Sequence, residues 1–332
     1  MDKLIFFDST LRDGSHAVRH QLSAENISTY CKGIDGSGLY VAIVGHGNGL
    51  GASSLQVGLS ALADNEMLSI ARKGLKKTRL GAFLIPGFGT IKDNLGPAID
   101  LGVDLVCVAA HCTEADIAAQ HIDYVRKKGK EAYGVLMMYH MAAKERLLAE
   151  AKKMESYGAM GVLLMDSAGA SDPGKVEETV KFLSKNLNIM LGFHAHNNLG
   201  LAVGNSLTAI NSGAKIIDGT IRGFGAGAGN CQLEALVGLL SKLKIKTDID
   251  LYKLMDVSDE IVAKIMHKPQ EIDSVALISG IAEVFSGFAS HVRKAAERFG
   301  VDPRDIFIAL GKKKMVAGQE DFIIDVALEL AN

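Results

Sequence analysis

The chain has 332 residues, 48% of them hydrophobic, and is therefore long enough for one large domain with a smaller appendix. Its 36 basic and 38 acidic residues give a net charge of −2, which argues against nucleic acid as the main partner, because tracking phosphates requires a basic excess. No apolar run is long enough to span a bilayer, and we expect no signal peptide. The four cysteines have no Cys-x-x-Cys spacing, so we expect reduced thiols in a cytoplasmic protein.

Short apolar runs recur along the first two thirds of the chain, and each is followed by a helical pattern. Most runs are continuous rather than alternating, which is typical of strands buried on both faces of a parallel sheet. They lie at Leu4–Phe7, Tyr40–Val44, Leu80–Ile85, Leu105–Ala109, Tyr133–Met138, Val162–Met165, Met190–Phe193 and Lys215–Ile217. Eight strand–helix units in about 250 residues predict an α/β fold, the (β/α)8 TIM barrel. An open doubly wound sheet would usually carry a glycine-rich dinucleotide fingerprint after its first strand, and the sequence has none.

The strand rhythm stops near residue 265, and the remaining sequence is helical. Amphipathic helices are predicted over Val275–Phe299, Pro303–Leu310 and Asp321–Leu330. We therefore divide the chain into a catalytic barrel, residues 1–265, and a small all-helical domain, residues 266–332. The second domain is either a simple cap on the barrel or a docking module for a partner that also closes one side of the active site.

The first predicted strand is followed by a dense polar stretch, Asp8-Ser-Thr-Leu-Arg12-Asp13-Gly-Ser-His16. It places two carboxylates, a guanidinium and an imidazole close together at the end of one strand. We expect a loop here, in which Gly14 allows a sharp turn. Taken alone, the pattern also fits a helix capped by either aspartate, with Arg12 in an ion pair.

A second polar cluster follows the seventh predicted strand, where His194 and His196 lie two positions apart and so point to the same side. Because TIM-barrel enzymes place their chemistry at the carboxyl ends of the strands, we expect these imidazoles to meet Asp13. One carboxylate and two imidazoles are a ligand set for a divalent cation, with positions left open for a substrate. Such a cation polarises a carbonyl group as a Lewis acid.

Three further residues are candidates for this site. Arg12 would lie beside the cation, where a guanidinium holds a carboxylate or stabilises an enolate oxygen. His16 is a candidate general base because imidazole titrates near neutral pH, although a structural hydrogen bond is the simpler role for a single histidine. The glycine-rich run at 223–229 lacks the Lys-Ser/Thr of a P-loop, so we expect it to let the backbone pass close to the metal, with Asn230 as a candidate oxygen ligand.

With these residues in place, the chain resembles the 4-hydroxy-2-oxovalerate aldolases, metal-dependent TIM-barrel enzymes that share an Arg-Asp-Gly motif at the first strand. The resemblance runs nearly end to end and is carried by Asp8–Gln21, Gly45–Leu50, His111–Asp116, Met154–Ala159, Asp166–Gly169, His194–Leu199 and Gly225–Asn230. The most specific match, Met315–Asp321, lies in the C-terminal segment that distinguishes these aldolases from relatives that use acyl-CoA.

The resemblance implies cleavage of a 4-hydroxy-2-oxo acid, such as 4-hydroxy-2-oxopentanoate, into pyruvate and a short aldehyde, in aromatic hydrocarbon catabolism. A divalent cation, usually Mn²⁺ and otherwise Mg²⁺ or Co²⁺, would chelate the 2-oxo acid and support a pyruvate enolate. Asp13, His194 and His196 match the metal ligands of the family, and His194 is also expected to contact the substrate.

The resemblance also assigns roles around the substrate. Arg12 matches the residue that steadies the enolate, His16 the base that takes the C4 hydroxyl proton, and Ser167 a substrate-contacting serine. Phe285 stands where the family usually has a tyrosine close to the substrate, so a hydroxyl is missing there. A lost buried hydroxyl changes the hydrogen bonding of a small substrate by about 1 kcal/mol. We therefore expect the metal and enolate chemistry to be kept and the aldehyde specificity to differ.

The family implies a partner, an acylating NAD-dependent aldehyde dehydrogenase that docks on the C-terminal helices and receives the aldehyde through a tunnel. We expect a homo- or hetero-oligomer. Three alternatives stay open on the sequence alone. The chain could be a Claisen-type synthase or lyase that acts on an acyl-CoA thioester, an aldolase of altered aldehyde specificity in a biosynthetic pathway, or a non-catalytic paralogue that mainly binds a partner.

Overall fold

The computed structural model describes residues 3–316 and 318–331. Parallel strands close into a barrel in which each strand lies beside the next in sequence, and β8 returns to β1. The strands are β1 Ile5–Asp8, β2 Val41–Ile43, β3 Arg79–Leu84, β4 Leu105–His111, β5 Glu131–Met137, β6 Gly161–Asp166, β7 Met190–Ala195 and β8 Ile216–Gly219. The predicted TIM barrel is confirmed, and every predicted strand overlaps an observed one.

The helices surround this barrel and then continue past its last strand. The α-helices are α1 Thr10–Ala17, α2 Ala24–Ile34, α3 Asp64–Gly74, α4 Gly96–Asp100, α5 Ala119–Lys127, α6 Lys144–Ser156, α7 Pro173–Ser184, α8 Ala202–Asn211, α9 Leu233–Lys242, α10 Leu251–Val257, α11 Ala263–Ile265, α12 Ser274–Ile281, α13 Ala289–Phe299, α14 Pro303–Lys312 and α15 Phe322–Ala331. Among the described residues, no helix combines the length and apolar character needed to cross a bilayer.

Alternate residues of each strand face two different cores. Phe7 and Val41 belong to the cluster that fills the barrel interior. Phe6 and Ala42, their neighbours in sequence, point outwards and pack in the layer between the strands and the helices. Because both faces of every strand are buried in this way, the strands appear in the sequence as continuous apolar runs.

The C-terminal helices α12–α15 have their own apolar core, centred on Phe288, Phe307 and neighbouring aliphatic side chains. The single helix predicted over 275–299 is wrong, because α12 ends at Ile281 and α13 begins only at Ala289. Between them Glu283 adopts a left-handed backbone (φ 58°), which ends the helix. The other two predicted helices correspond to α14 and α15. The predicted division of the chain at residue 265 stays a prediction.

Candidate active site

The polar stretch after β1 forms helix α1 and not the predicted loop. The carboxylate of Asp8 accepts the backbone N–H of Thr10 (2.9 Å) at the start of this helix. One turn of helix separates Arg12 from His16, and Asp13 is adjacent to the first and three residues before the second. Because residues three and four positions apart lie on the same side of a helix, His16 lies beside both Arg12 and Asp13.

Gly14 is needed for a close approach and not for the expected turn. It lies inside α1, and a Cβ atom at this position would stand 2.2 Å from Cδ1 of Phe224. Gly225 plays the same part from the opposite side, since a Cβ there would stand 2.5 Å from the Asp13 carboxylate. This confirms the expectation that the glycine-rich run passes close to the site.

Asp13, His194 and His196 come together as predicted. Their metal-binding atoms all lie within 4.8 Å of one another, and all three residues are buried. Nε2 of His194 and Nδ1 of His196 are buried with no hydrogen-bond partner among the described residues. Buried polar atoms are normally paired, so two unpaired imidazole nitrogens beside a carboxylate fit a divalent cation.

A second carboxylate, Asp218, fixes the orientation of His194. Nδ1 of His194 donates to Asp218 Oδ2 (2.8 Å), which leaves the lone pair on Nε2 free. The hydroxyl of Ser9 donates to the same carboxylate (2.8 Å). Sequence reasoning missed Asp218, although an acidic residue at the carboxyl end of the last strand was a usable signal.

Arg12 is held through its two terminal nitrogens, whereas its buried Nε has no hydrogen-bond partner among the described residues. One terminal nitrogen, Nη1, donates to Asp13 Oδ1 (2.7 Å) and to the carbonyl of Gly47 (3.3 Å), and the other, Nη2, donates to the Ser9 hydroxyl (3.3 Å). The guanidinium also lies 4.6 Å from the ring centre of Phe83. Stacking and hydrogen bonds together fix a planar positive charge beside the three candidate ligands. Nothing in the sequence indicated the contact with Phe83.

The charges of the candidate ligands suit metal binding. Burial alone would raise the pKa of Asp13, but the Arg12 guanidinium and the nearby imidazoles outweigh it and hold that pKa well below its usual range. Burial lowers the pKa of His196 to about 3, against a smaller opposing effect of Asp13. At neutral pH the site therefore offers an anionic oxygen and a neutral imidazole, the forms that bind metals.

His16 faces the same region from α1. Burial lowers the pKa of His16, and the Asp13 carboxylate only partly opposes this. The imidazole is thus neutral near pH 7 and able to accept a proton. Its ring lies against Gly47, where a Cβ atom would stand 2.3 Å from Nε2. His20 and His46 stack on each other beside it, with ring centres 3.7 Å apart. No role was predicted for either histidine.

Asn230 lies against Asp13 from the end of the glycine-rich run. Its Nδ2 donates to Asp13 Oδ2 (2.6 Å). Its Oδ1 is buried and has no hydrogen-bond partner in the part of the chain that the structure describes. The amide oxygen is therefore available for a ligand, as expected for this residue.

Two cavities are lined by residues that the sequence assigned to the site, and Phe285 is common to both. The larger, of about 550 Å³, lies between the barrel and the C-terminal helices and is lined by His16, Gly225 and Phe285, among others. The smaller, of about 150 Å³, is lined by Ser167 and several apolar side chains, and Phe285 forms part of its wall as well. The Ser167 hydroxyl accepts the backbone N–H of Met138 (3.1 Å), so part of its hydrogen-bonding capacity is used within the barrel.

Comparison with known protein families divides the chain into two matched regions. Residues 3–261 match the HMGL-like family, and residues 270–332 match the DmpG-like communication domain. The carboxyl transferase domain of Rhizobium etli pyruvate carboxylase has a similar fold, with a TM-score of 0.82 at 17% identity over 99% of this chain. This chain spans 60% of that longer chain, and at such low identity the likeness concerns the fold alone.

Curated relatives are similar over almost their whole length. A 4-hydroxy-2-oxovalerate aldolase of Pectobacterium atrosepticum is 53% identical over 99% of this chain and 96% of its own. The enzymes of the same name from Spirochaeta aurantia and Carboxydothermus hydrogenoformans are 52% and 50% identical, over 98% and 99% of this chain and 96% and 98% of their own. The chain therefore belongs to the HMGL-like family and, within it, to the 4-hydroxy-2-oxovalerate aldolases, which are metal-dependent carbon–carbon lyases.

Proposed function

We propose that this protein cleaves 4-hydroxy-2-oxo acids, such as 4-hydroxy-2-oxopentanoate, into pyruvate and a short aldehyde. The observation that carries the proposal is the convergence of Asp13, His194 and His196 beside Arg12 and His16. We assign the first three as the ligands of the divalent cation and propose Mn²⁺ as that ion, with Mg²⁺ or Co²⁺ as substitutes. When bound, such a cation polarises the 2-oxo group of the substrate.

The remaining side chains transfer the proton and stabilise the negative charge that develops. His16 accepts the proton of the C4 hydroxyl, and the C3–C4 bond breaks as the new carbonyl of the aldehyde forms. The bond's electron pair passes to the pyruvate fragment as an enolate, whose oxygen is stabilised by the guanidinium of Arg12. Protonation at C3 by water then gives pyruvate, and His16 releases its proton to solvent. The lowered pKa of His16 supports this role, because the imidazole must be neutral before it accepts a proton.

We assign the substrate's remaining contacts to Ser167, His194 and Phe285. Ser167 and Phe285 both line the smaller, mainly apolar cavity, which suits the alkyl end of a short aldehyde. Phe285 offers no hydroxyl, so the aldehyde is held there by shape and apolar contact alone. The free amide oxygen of Asn230 is a further candidate for a ligand or for a water molecule beside the cation.

The test is a screen of the Mn²⁺-loaded protein over a series of 4-hydroxy-2-oxo acids with pyruvate release as the readout. We expect turnover by the unmodified protein and a loss of about 10³-fold or more in Asp13→Asn, which removes the anionic ligand. Asp93→Asn, a change of the same kind on the exposed turn before α4, serves as the control and should leave the rate unchanged.

A parallel assay for CoA release from acetyl-CoA plus a 2-oxo acid tests the Claisen-type alternative. That reading is not favoured, because the relatives are named aldolases and residues 270–332 match a communication domain. CoA release without pyruvate release would overturn the proposal. Full activity of Asp13→Asn would overturn the assigned ligand set.

The communication domain points to association with an aldehyde dehydrogenase. We propose that this partner is acylating and NAD-dependent and that it docks on the C-terminal helices. Exposed apolar side chains support this, with Leu277 and Ile281 one turn apart on α12 and Leu328 on α15. A negative charge introduced by Leu277→Glu should abolish co-elution with the dehydrogenase of the same cell. The control is Leu243→Glu, at the similarly exposed end of α9, which should leave the complex intact.

We also propose a cytoplasmic location. The four cysteines are all free and buried, which is expected of a protein kept in a reducing compartment. Mass spectrometry of the protein alkylated under denaturing conditions, without reductant, should find four thiols. Finding a disulfide in protein taken directly from cells would contradict this location.

A further inference from the structure

Asn198 connects the metal site to the C-terminal helices. It follows His196 by two residues and is completely buried. Its Nδ2 donates to the carbonyl of Ala276 (3.1 Å) and to the hydroxyl of Ser279 (2.6 Å), and its Oδ1 accepts the hydroxyl of Ser286 (3.0 Å). Within the described residues, every hydrogen bond of the Asn198 side chain is made with the segment 274–288, and none is made with the barrel.

The amide of Asn198 is closely surrounded by glycines from three different segments. A Cβ atom at Gly169, after β6, would stand 3.0 Å from Asn198 Oδ1, and one at Gly227, after β8, would stand 3.3 Å from it. A Cβ at Gly280, in α12, would stand 3.0 Å from Asn198 Cβ. The side chain therefore has little room to shift, and its three hydrogen bonds define its position.

This fixed side chain is joined to His196 by only two peptide units. The peptide units are planar and stiff, so only the φ and ψ angles around Asn197 can absorb a displacement of Asn198 before it reaches the backbone of His196. The intervening Asn197 donates its backbone N–H to the carbonyl of Gly229 (2.8 Å), and the backbone N–H of Ser286 donates to Ser167 (3.0 Å). The loop after β7 is thus held between the glycine-rich run on one side and the C-terminal helices on the other.

We propose that Asn198 is a positioning residue, through which the C-terminal helices hold His196 in the orientation that binds the cation. This inference rests on the proposed metal site. It predicts that loss of the Asn198 hydrogen bonds weakens metal binding, although Asn198 itself touches neither cation nor substrate. Partners that orient a metal ligand typically change metal affinity about 10- to 100-fold when they are removed.

Asn205 provides a matched control. It is equally buried, lies on α8 and donates from Nδ2 to the carbonyl of Ser171 (2.7 Å), so it stays within the barrel. Asn198→Asp and Asn205→Asp each replace a buried amide by a carboxyl group of the same shape and remove its donors. Both substitutions are expected to lower the thermal stability of the protein, but only the first disturbs the loop after β7.

The experiment measures the dissociation constant for Mn²⁺ by isothermal titration with the full-length chain and no substrate. We expect about a 10-fold or greater weakening in Asn198→Asp and a change of less than about 2-fold in Asn205→Asp. Exchange of the C3 hydrogens of pyruvate with D2O should fall in the same order. An unchanged constant in Asn198→Asp, or an equal change in both variants, would overturn the inference.

Two further results keep the test decisive. If Asn198→Asp does not fold, Ser279→Ala removes only one acceptor of the Asn198 amide and should weaken Mn²⁺ binding about 3-fold. An unchanged dissociation constant for Mn²⁺ in Ser279→Ala would also overturn the inference. If the unmodified protein binds no Mn²⁺, the proposed metal site itself fails, which is distinct from failure of the role of Asn198.

Discussion

At the scale of single residues, the site depends on neighbours that decide which atom of each side chain is free. Asp218 accepts a hydrogen bond from Nδ1 of His194 and leaves Nε2 open, while Arg12 keeps the buried Asp13 anionic. Without these partners, burial would favour a protonated carboxyl group at Asp13, and His194 would lose the hydrogen bond that orients its ring. The three candidate ligands therefore depend on two residues that are not ligands.

The role of Asp218 is tested by Asp218→Asn. An asparagine still accepts a hydrogen bond but carries no charge, so His194 becomes a weaker and less well oriented ligand. We expect the dissociation constant for Mn²⁺ to rise about 10-fold or more. Asp259→Asn, which breaks an exposed ion pair with Arg222, is the control and should leave it unchanged. Equal affinities in all three proteins would refute the proposed orientation of His194.

His46 makes the stability of the protein depend on pH. Burial, helped by the charge of His16, lowers the pKa of His46 to about 4, against about 6.5 in an unfolded chain. Below pH 6.5 the unfolded chain therefore takes up a proton that the folded one refuses, so this residue lowers stability progressively down to pH 4. Above pH 6.5 it has no such effect.

Comparison with His46→Gln isolates that contribution. As the pH falls from 6.5 to 4, the free energy of unfolding of the unmodified protein should drop relative to that of the variant, by up to about 1 kcal/mol per pH unit. Urea unfolding at several pH values measures this gap. A gap that stays constant across this range would show that His46 titrates normally in the folded protein.

The sequence was most informative about the residues that carry charge. The barrel rule was enough to bring Asp13 to His194 and His196, because it fixes which ends of the strands meet. Asp218 was missed although its place at the carboxyl end of the last strand was a usable signal, whereas nothing in the sequence near Phe83 indicates its contact with Arg12.

At the scale of elements, α1 and the loop after β2 are in such close contact that a methyl group at position 47 would clash with His16. The ring of His16 on α1 lies over Gly47, and Arg12 on the same helix donates to the Gly47 carbonyl. Glycine at 47 therefore lets the loop lie against both the candidate base and the guanidinium that stabilises the enolate. Such contacts between distant segments leave no periodic pattern in a sequence.

Gly47→Ala should move the imidazole of His16, because the new Cβ would stand 2.3 Å from Nε2. We expect kcat for aldol cleavage to fall about 10²-fold, within the range that a positioned general base contributes. Affinity for Mn²⁺ should change little. Gly204→Ala is the control, since a Cβ on this residue of α8 meets nothing within 4 Å, and it should keep full activity. A normal kcat in Gly47→Ala would argue against His16 as the base.

The break between α12 and α13 shows where element prediction fails. The amphipathic pattern over 275–299 is compatible with one helix, but Ser286 instead donates its backbone N–H to the carbonyl of Ser167 on the barrel. That long-range hydrogen bond, with the left-handed Glu283, brings Phe285 to the wall of both cavities. A local pattern contains no information about a partner more than a hundred residues away.

At the scale of the whole molecule, the barrel supplies the chemistry and the C-terminal helices complete its enclosure. The barrel itself was predictable, because eight continuous apolar runs leave few other ways to bury both faces of each strand. A C-terminal cap on the barrel was expected as well, but the contacts that hold it, such as those of Asn198, were not predictable because they join distant segments. The larger cavity exists only because these two parts meet.

In the proposed site, Asp13 near the start of the barrel and His194 and His196 near its end bind one shared cation. Crystals soaked in Mn²⁺ and measured at the manganese absorption edge test it most directly. We predict one strong anomalous peak per chain, within about 2.5 Å of the Asp13 carboxylate, of Nε2 of His194 and of the His196 ring. A peak elsewhere, or a site from which any of these three side chains points away, would contradict the account.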